Sequence, residues 1–575
     1  MDVRLVAPAL GLWLGGAGTL SFGMRFGLPA GFIWSGVLIG IAHWAVHRKP
    51  LGQWSWTHAT VKVLSIGVAL GCLLACTRVL PLQTSPFTQV SNERQFVQVT
   101  GVITSDPIIR QSRNKLDWSP TTFASVHLRV AQVQVNRHEF HVRLPVTLSA
   151  TQEQSVHQLA SVIPGMQLQC AGTASKALPG SQSAATLHIR SPCVVVGNPP
   201  RYQGLAWHLR HVLHQSLSGT NADTQGLVPG MALGDSAALG SELASAMQSA
   251  GLTHLTAVSG TNVSMLLAVS LLLLRRWVRS RWAIYAIAGA CLGAFIVVVR
   301  PGPSVLRASV MGALTLWAGY TRNKVLPMPA LCFAVIALLI IDPWLATSFG
   351  FALSVGATVG LILWLQQLRT VADRLLTPRI PQWVVDILAV TICAQAAVFP
   401  VLIALGADVS LASVPANMIA VPLAGFVMIS GLILTAVGCM HLELARSLAH
   451  LVELPASTIA QVARIASQCE FLVIPWPQGA VGVVCAMGLI GLVVHLRMRW
   501  RQVPLSARVT VLGIVIALCT SIMWPPMLPH RMWPPANWAM VQCDVGQGDG
   551  AVIRTGEHAA IVIDVGNEDG RMNRC

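Results

Sequence analysis

The chain reads as a polytopic α-helical membrane protein with a small external β domain inserted among its spans, and three observations carry that class. Of its 575 residues, 54% are apolar and only 10% charged, against about a quarter charged in soluble domains. Apolar stretches near the ~20 residues that cross a bilayer recur along most of its length. Residues 84–200 interrupt them with a polar stretch in which apolar and polar residues alternate, the period of strands.

Residues 1–80 supply the first candidate spans, at 5–23, 28–47 and 60–80. The first resembles a secretory leader in length, but a second span follows closely and no small-residue cleavage site separates them. It is therefore expected to be a retained anchor.

Residues 84–200 contain five strand-like runs at 94–104, 124–136, 139–148, 166–176 and 186–196, with Asn136-Arg137-His138 as a tight hairpin. Five short strands in this length fit an OB-like barrel, a fold often used for single-stranded nucleic acid, although other small barrels and sandwiches fit nearly as well. Nine Lys or Arg face five acids here. Arg110, Arg113, Lys115, Arg129 and Arg143 are the candidate DNA contacts. Base stacking needs aromatic side chains; among Phe96, Trp118, Phe123 and Phe140, Phe96 and Phe140 alternate with polar neighbours and are assigned to the core. The segment's two cysteines, Cys170 and Cys193, form a disulfide pair if the compartment is oxidising.

Residues 202–250 read as amphipathic, interfacial helices. Leu205, Leu209, Val212 and Leu213 fall at helical spacing, with Arg210, His211 and His214 elsewhere around the helix. No two of His208, His211 and His214 share a face with a carboxylate, so no metal site is assigned.

Residues 251–524 hold the remaining candidate spans: 252–274, 282–299, 305–320, 327–341, 343–366, 383–406, 413–439, 455–474, 480–496 and 508–524. Basic clusters such as Arg275-Arg276 and Arg497, Arg499 and Arg501 account for much of the net charge of +16, as cytoplasmic loops collect Lys and Arg whatever the protein binds. Placing them all inside sets 81–200 and 537–575 outside, a path that requires 455–474 to cross.

Polar residues inside apolar helices mark helix interfaces or wet cavities. Asp235, His254, Ser259, Gly260, Asn262, Arg307, Gln395 and Asn417 are the candidate pathway residues on that ground. Arg307 either meets phosphates along a pathway or serves structurally, pairing with Asp342 or capping a helix; the structural role is favoured. Pro400, Pro415 and Pro422 add the breaks that line cavities in transporters.

Taken in order, Met231–Asp235, Gly251–Asn262, Pro303–Ala308, Asp342-Pro343 with Gly350–Ser354, and Pro415–Asn417 with Pro422-Leu423 resemble the competence region of the ComEC family. These are inner-membrane proteins of natural transformation. The resemblance implies a channel in the cell membrane that passes single-stranded DNA, served by a DNA receptor and a cytoplasmic ATP-driven motor; a homo-oligomer is compatible with it. No Gly-x-x-x-x-Gly-Lys-Ser/Thr loop occurs, so a motor is expected on another chain. Where the family has Ser-Gly-Leu-His, this chain has Ser259-Gly260-Thr261-Asn262, so no histidine role carries over.

Residues 537–575 resemble the opening strands of a metallo-β-lactamase-like α/β domain. Asp544, Gly546, Gln547, Gly548, Asp549 and Asp564 form its two marker turns. A complete domain implies divalent metal held by a His-x-His-x-Asp-His cluster, absent from 544–575. The chain is thus expected to stop at the start of that domain and to carry no catalytic residue, metal or cofactor. A membrane-tethered metallohydrolase or nuclease, and a transporter of other solutes, are the alternative functions.

Overall fold

The computed structural model describes residues 4–26, 55–85, 93–113, 120–135, 138–177, 181–300, 302–376, 380–407, 409–469, 472–474, 476–477, 479–499, 538–543, 550–556 and 559–563, with a few isolated positions besides. The expected spans 28–47 and 508–524, Lys115, and the marker turns Asp544–Asp549 and Asp564 lie outside the described residues. The chain divides into two compact units, residues 1–491 and 492–575.

Unit 1 opens with α1 (Val6–Phe26) and α2 (Ser55–Thr84). Their contact is made by two Gly-x-x-x-Gly pairs, Gly11 with Gly15 and Gly67 with Gly71. A Cβ on Gly67 would lie 2.7 Å from the Pro8 carbonyl oxygen, and one on Gly15 or Gly71 would lie closer still to the Val68 or Leu12 carbonyl. Glycine lets the two backbones touch, which is how helices gain dispersion energy where lipid offers no hydrophobic contrast. Trp13 fixes the pair to later helices, donating from Nε1 to the Ala346 carbonyl at 2.8 Å and packing on Phe351 at 5.0 Å between ring centroids.

The β domain follows: β1 (Phe96–Ile103), β2 (Ile108–Arg113), β3 (Pro120–Val135), β4 (His138–Ala150), α3 (Glu153–Ala160), β5 (Gln167–Lys176), β6 (Ala185–Ile189) and β7 (Val194–Gly197). Five strands close a circuit β1-β3-β4-β6-β5 that returns to β1, antiparallel throughout except for β4 beside β6. β2 extends β3 at one edge and β7 pairs with β5. Alternation puts Val97, Val99, Leu128, Leu148, Leu168 and Leu187 inside, each worth roughly 1.5–3 kcal/mol on burial. Cys170 and Cys193 are bonded, with Cα atoms 4.5 Å apart.

Three sequence expectations change here. The run 186–196 is two strands, because Ser191-Pro192 breaks it. Residues 108–113 form an additional strand. Phe96 and Phe140 are not core residues: they are 67% and 40% exposed. On β1, Val97 and Val99 hold the inward positions of the alternation, and on β4, Phe140 lies beyond the register shift that separates it from the inward Leu144 and Val146.

Next come α4 (Arg201–Leu217), α5 (Ala222–Leu233), α6 (Ser241–Ser249), α7 (Thr253–Thr256), α8 (Gly260–Trp277), α9 (Arg281–Val299), α10 (Pro303–Thr321), α11 (Pro327–Ile341), a 3-10 turn at Pro343–Thr347, α12 (Phe349–Leu376), α13 (Gln382–Ala404), β8 (Val409–Ser410), α14 (Ser413–Met440), α15 (Leu442–Gln468), β9 (Val473–Ile474) and α16 (Gly479–Arg499). Among the described residues, five segments are long and apolar enough to cross a membrane: Ala59–Thr84, Arg281–Val299, Phe349–Asp373, Gln382–Ala404 and Ser413–Met440. The chain is a multi-pass membrane protein.

The stretch 252–274 is not one helix. It breaks at Ala257–Ser259, and α8 begins at Gly260. Residues 455–474 likewise form no span of their own. Residues 455–468 belong to α15, an amphipathic helix that buries Ala449, Val452, Ala456, Ile459, Ala460 and Ala463 against α4, α5 and α6, and Val473–Ile474 form β9. Arg464 of α15 makes a two-pronged ion pair with Asp223 of α5, both contacts at 2.8 Å, an arrangement that suits a helix lying on other helices.

α4 buries Val212 and Leu213 as its spacing suggests, but its inward face is rotated to take in Arg210 and leave Leu205 out. Ala206, Arg210, Leu213 and Leu217 are buried, whereas Leu205 is 59% exposed.

Unit 2 contains a three-stranded antiparallel meander, β10 (Met540–Cys543), β11 (Gly550–Arg554) and β12 (Ala560–Ile563). Val541 faces Val552, which faces Val562. Gly550–Arg554 forms a strand between the runs that lead into the two marker turns.

Candidate functional site

Distant sequence motifs converge where α8 begins. α5 ends at Gly234, whose φ of +70° is the left-handed closure that glycine permits. One turn earlier, the Met231 carbonyl has lost its helical partner and accepts from Asn262 Nδ2 at 2.9 Å. Ser259 Oγ donates to Asn262 Oδ1 at 3.0 Å. The Met231 and Ser259–Asn262 motifs are therefore one construction, in which Asn262 satisfies a helix end.

Gly260, in the first turn of α8, faces Arg307 of α10. A Cβ there would sit 2.7 Å from the Arg307 Nη2, so glycine makes room for the guanidinium. Arg307 is 7% exposed. Its Nε donates to Ser354 Oγ of α12 at 2.8 Å and its Nη1 contacts Met311 Sδ at 3.4 Å. Ser354 Oγ in turn donates to Ser304 Oγ at 3.1 Å. No described carboxylate reaches Arg307. The pairing with Asp342 does not form, because Asp342 accepts from the Trp344 backbone N–H at 3.2 Å and caps the 3-10 turn. An acid-free buried cation is costly in a membrane region unless water or a mobile anion meets it.

A second polar node lies at the start of α14. Gln395 of α13 donates to Ser413 Oγ at 2.9 Å, Ser413 Oγ donates to the Ser410 carbonyl at 2.7 Å, and Asn417 Nδ2 donates to the Ser413 carbonyl at 2.8 Å. Gly251, at φ +68°, brings the chain before α7 onto Ser413, where a Cβ would meet Ser413 Cβ at 3.0 Å. Among the pathway candidates, Ser259, Gly260, Asn262 and Arg307 gather at the first node and Gln395 and Asn417 at the second. His254 is exposed and joins neither.

A third node ties the membrane helices to the β domain, and its central residue escaped the sequence reading. Arg210 of α4 donates to the carbonyls of Leu233 at 3.2 Å, Val298 at 2.9 Å and Val299 at 3.0 Å, the C-terminal ends of α5 and α9, where helix dipoles favour a cation. Its Nη1 lies 3.4 Å from Asp106 in the β1–β2 loop, which also pairs with Arg300. The repeat Ala206, Arg210, Leu213, Leu217 is the sequence signal that could have placed it inward. Asp235 accepts from His214 at 3.1 Å. Burial raises the Asp235 carboxyl, but the His214 bond and then the Arg210 charge overcome it and hold the group below 3.8.

In the β domain, Arg110 and Arg113 sit on β2, while Arg129 and Arg143 are exposed on β3 and β4. Among the described residues no group of three or more His, Cys, Asp or Glu is placed to hold a metal ion. The metal implied by the hydrolase-like resemblance thus finds no fitting ligand set there.

Residues 231–499 match the family described as Competence protein. The chain is 28% identical to ComE operon protein 3 of Bacillus subtilis (strain 168) over 42% of its own length and 30% of the relative's. It is 28% identical to the uncharacterized protein YcaI of Escherichia coli (strain K12) over 59% and 44%, and 29% identical to competence protein ComA of Neisseria gonorrhoeae over 30% and 26%. The chain spans less than half the length of these curated relatives. No solved structure matches it.

Proposed function

We propose that this chain, whose residues 231–499 match the family described as Competence protein and which is similar to competence proteins of two bacteria, acts as a ComEC-type protein whose membrane region is the conduit through which single-stranded DNA enters the cell during natural transformation. The observation that carries this reading is Arg307. Its guanidinium is buried between α8, α10 and α12, faces a glycine, and is held by neutral acceptors alone, so its charge is available to a passing phosphate. A stationary ion pair would have cancelled it.

Sidedness follows the same helices. Arg275, Arg276, Arg281 and Arg322 cluster at one end of α8, α9 and α10, whereas the opposite end of α9 carries Arg300, which pairs with Asp106 of the β domain. With positive loops inside, the β domain lies outside, where its five-strand circuit supports an OB-like reading. In this proposal a DNA receptor delivers the strand, a separate ATP-driven motor pulls it, and this chain brings no cofactor; self-association is compatible with the same arrangement.

The test is uptake of labelled DNA into the cytoplasm of a transformable host. Arg307→Gln should reduce uptake at least tenfold while the protein remains in the membrane, and Arg307→Lys should restore part of it. Wild-type uptake by Arg307→Gln, or by a strain lacking the gene, refutes the conduit.

A further inference from the structure

The β domain carries a basic groove on the arc of the strand circuit opposite Arg129 and Arg143. It encloses about 630 Å³ and is lined by Arg94, Thr173, Ser175, Lys176, His188 and Arg190 with no carboxylate among its walls. Strand register explains the grouping. Phe96 of β1 stands beside Thr173 of β5, which stands beside His188 of β6. Ser175 and Lys176 follow on β5, and Arg190 follows His188. Outward rows two residues apart along a strand are separated by about 6.6 Å, so cationic and hydroxyl groups line the groove in steps.

Two further features show that the groove is built. Arg94 adopts φ +52°, a left-handed conformation that costs a non-glycine residue about 1 kcal/mol or more and persists where the surroundings hold it. His188 Nε2 is fixed against Ser175 Oγ at 2.9 Å. Beside these polar groups Phe96 stands 67% exposed, an aromatic face with no apolar cover, at the place where a stacked base would lie.

We infer that this groove binds the phosphodiester backbone of single-stranded DNA, with Arg94, Lys176 and Arg190 meeting phosphates and Phe96 stacking on a base. The inference rests on the DNA-uptake reading for its ligand and assigns that ligand a surface distinct from the β2–β4 arginines. A carboxylate-free cationic cleft also fits a phosphate of a lipid headgroup, but a lipid gives Phe96 no base to stack on.

The experiment uses the full chain in nanodiscs of zwitterionic lipid and a fluorescent oligothymidylate of about 16 nucleotides, within the range one such barrel covers. The triple variant Arg94→Ala/Lys176→Ala/Arg190→Ala should bind at least tenfold more weakly. The slope of log affinity against log salt should flatten by about 2 for three lost contacts to a single strand. Phe96→Ala should weaken binding about tenfold with the slope unchanged. Arg129→Ala/Arg143→Ala should leave both quantities near wild type. All these positions are exposed, and an unshifted melting curve verifies each fold. Unchanged affinity and slope in the triple variant overturn the proposal. So does displacement of the oligonucleotide by phosphatidylglycerol vesicles or inorganic phosphate at equal phosphate concentration. If the groove binds oligonucleotide in this way while deletion of the gene leaves DNA uptake intact, the groove stands and the uptake reading falls.

Discussion

Replacing Arg210 should disconnect the β domain from the membrane helices. In the intact protein one guanidinium satisfies three carbonyls at the ends of α5 and α9 and lies against Asp106. Hydrogen bonds to a charged group are worth about 1.5–3 kcal/mol each net, and two helix dipoles add about 0.3–1 kcal/mol apiece. Against that stands the several-kcal/mol cost of burying the cation. Burial lowers its pKa, and the charge of Asp235 partly offsets that. The balance places Arg210→Ala at about 3–5 kcal/mol, the range for breaking a buried charged network. Arg210→Lys keeps the charge but has no planar fork to span three carbonyls, so about half of that loss should remain. Thermal unfolding of the purified protein in detergent, followed by tryptophan fluorescence, should rank wild type above Lys above Ala. Ala melting with wild type, or Lys melting with Ala, refutes the reasoning: the first would show that the carbonyls find other donors, the second that charge contributes nothing.

Other perturbations have equally defined outcomes. Gly67→Leu should unseat α1 from α2, because a side chain there meets the Pro8 backbone; overpacking costs about 1–3 kcal/mol even where neighbours yield. Gly289→Leu, which has open space, is the control, and equal melting of the two variants would contradict the close crossing. Reducing Cys170–Cys193 should lower β-domain stability by about 3 kcal/mol, the value for closing a loop of this order, read as faster protease cleavage of residues 84–200. Asp235 supplies a pH signature. Its folded pKa is depressed, so its contribution is complete above 3.8 and disappears as pH falls through the lower folded value. Asp235→Asn should therefore melt below wild type at neutral pH and approach it as pH drops below 3.8; a gap that persists at low pH would show that the charge is not the source.

Some of this architecture was legible in sequence. Helices α9, α13 and α14 begin and end within two residues of their apolar stretches, since a uniformly apolar run needs no tertiary information to be recognised. The same averaging failed at Ala257–Ser259, where the chain breaks to hand Asn262 to the Met231 carbonyl. It failed again at 455–474, where a moderately apolar window is one half of an amphipathic helix pinned by Asp223. For Phe96 the alternation was visible, but its phase depended on which neighbours faced the core; Phe140 lies past an irregularity in the β3–β4 pairing that alternation alone does not reveal.

Sequence by itself determined the membrane class, the intervening strand-rich segment and the ordered motifs that resemble the competence family, because each is a property of contiguous residues. Only the tertiary structure decided which polar groups meet: Arg307 with Ser354 rather than Asp342, Arg210 with the ends of two helices, and Arg94, Lys176 and Arg190 around one groove. Those meetings depend on which helix faces pack and which strands pair across dozens of residues, and a charge buried in a membrane protein takes its role from the partner that packing brings to it.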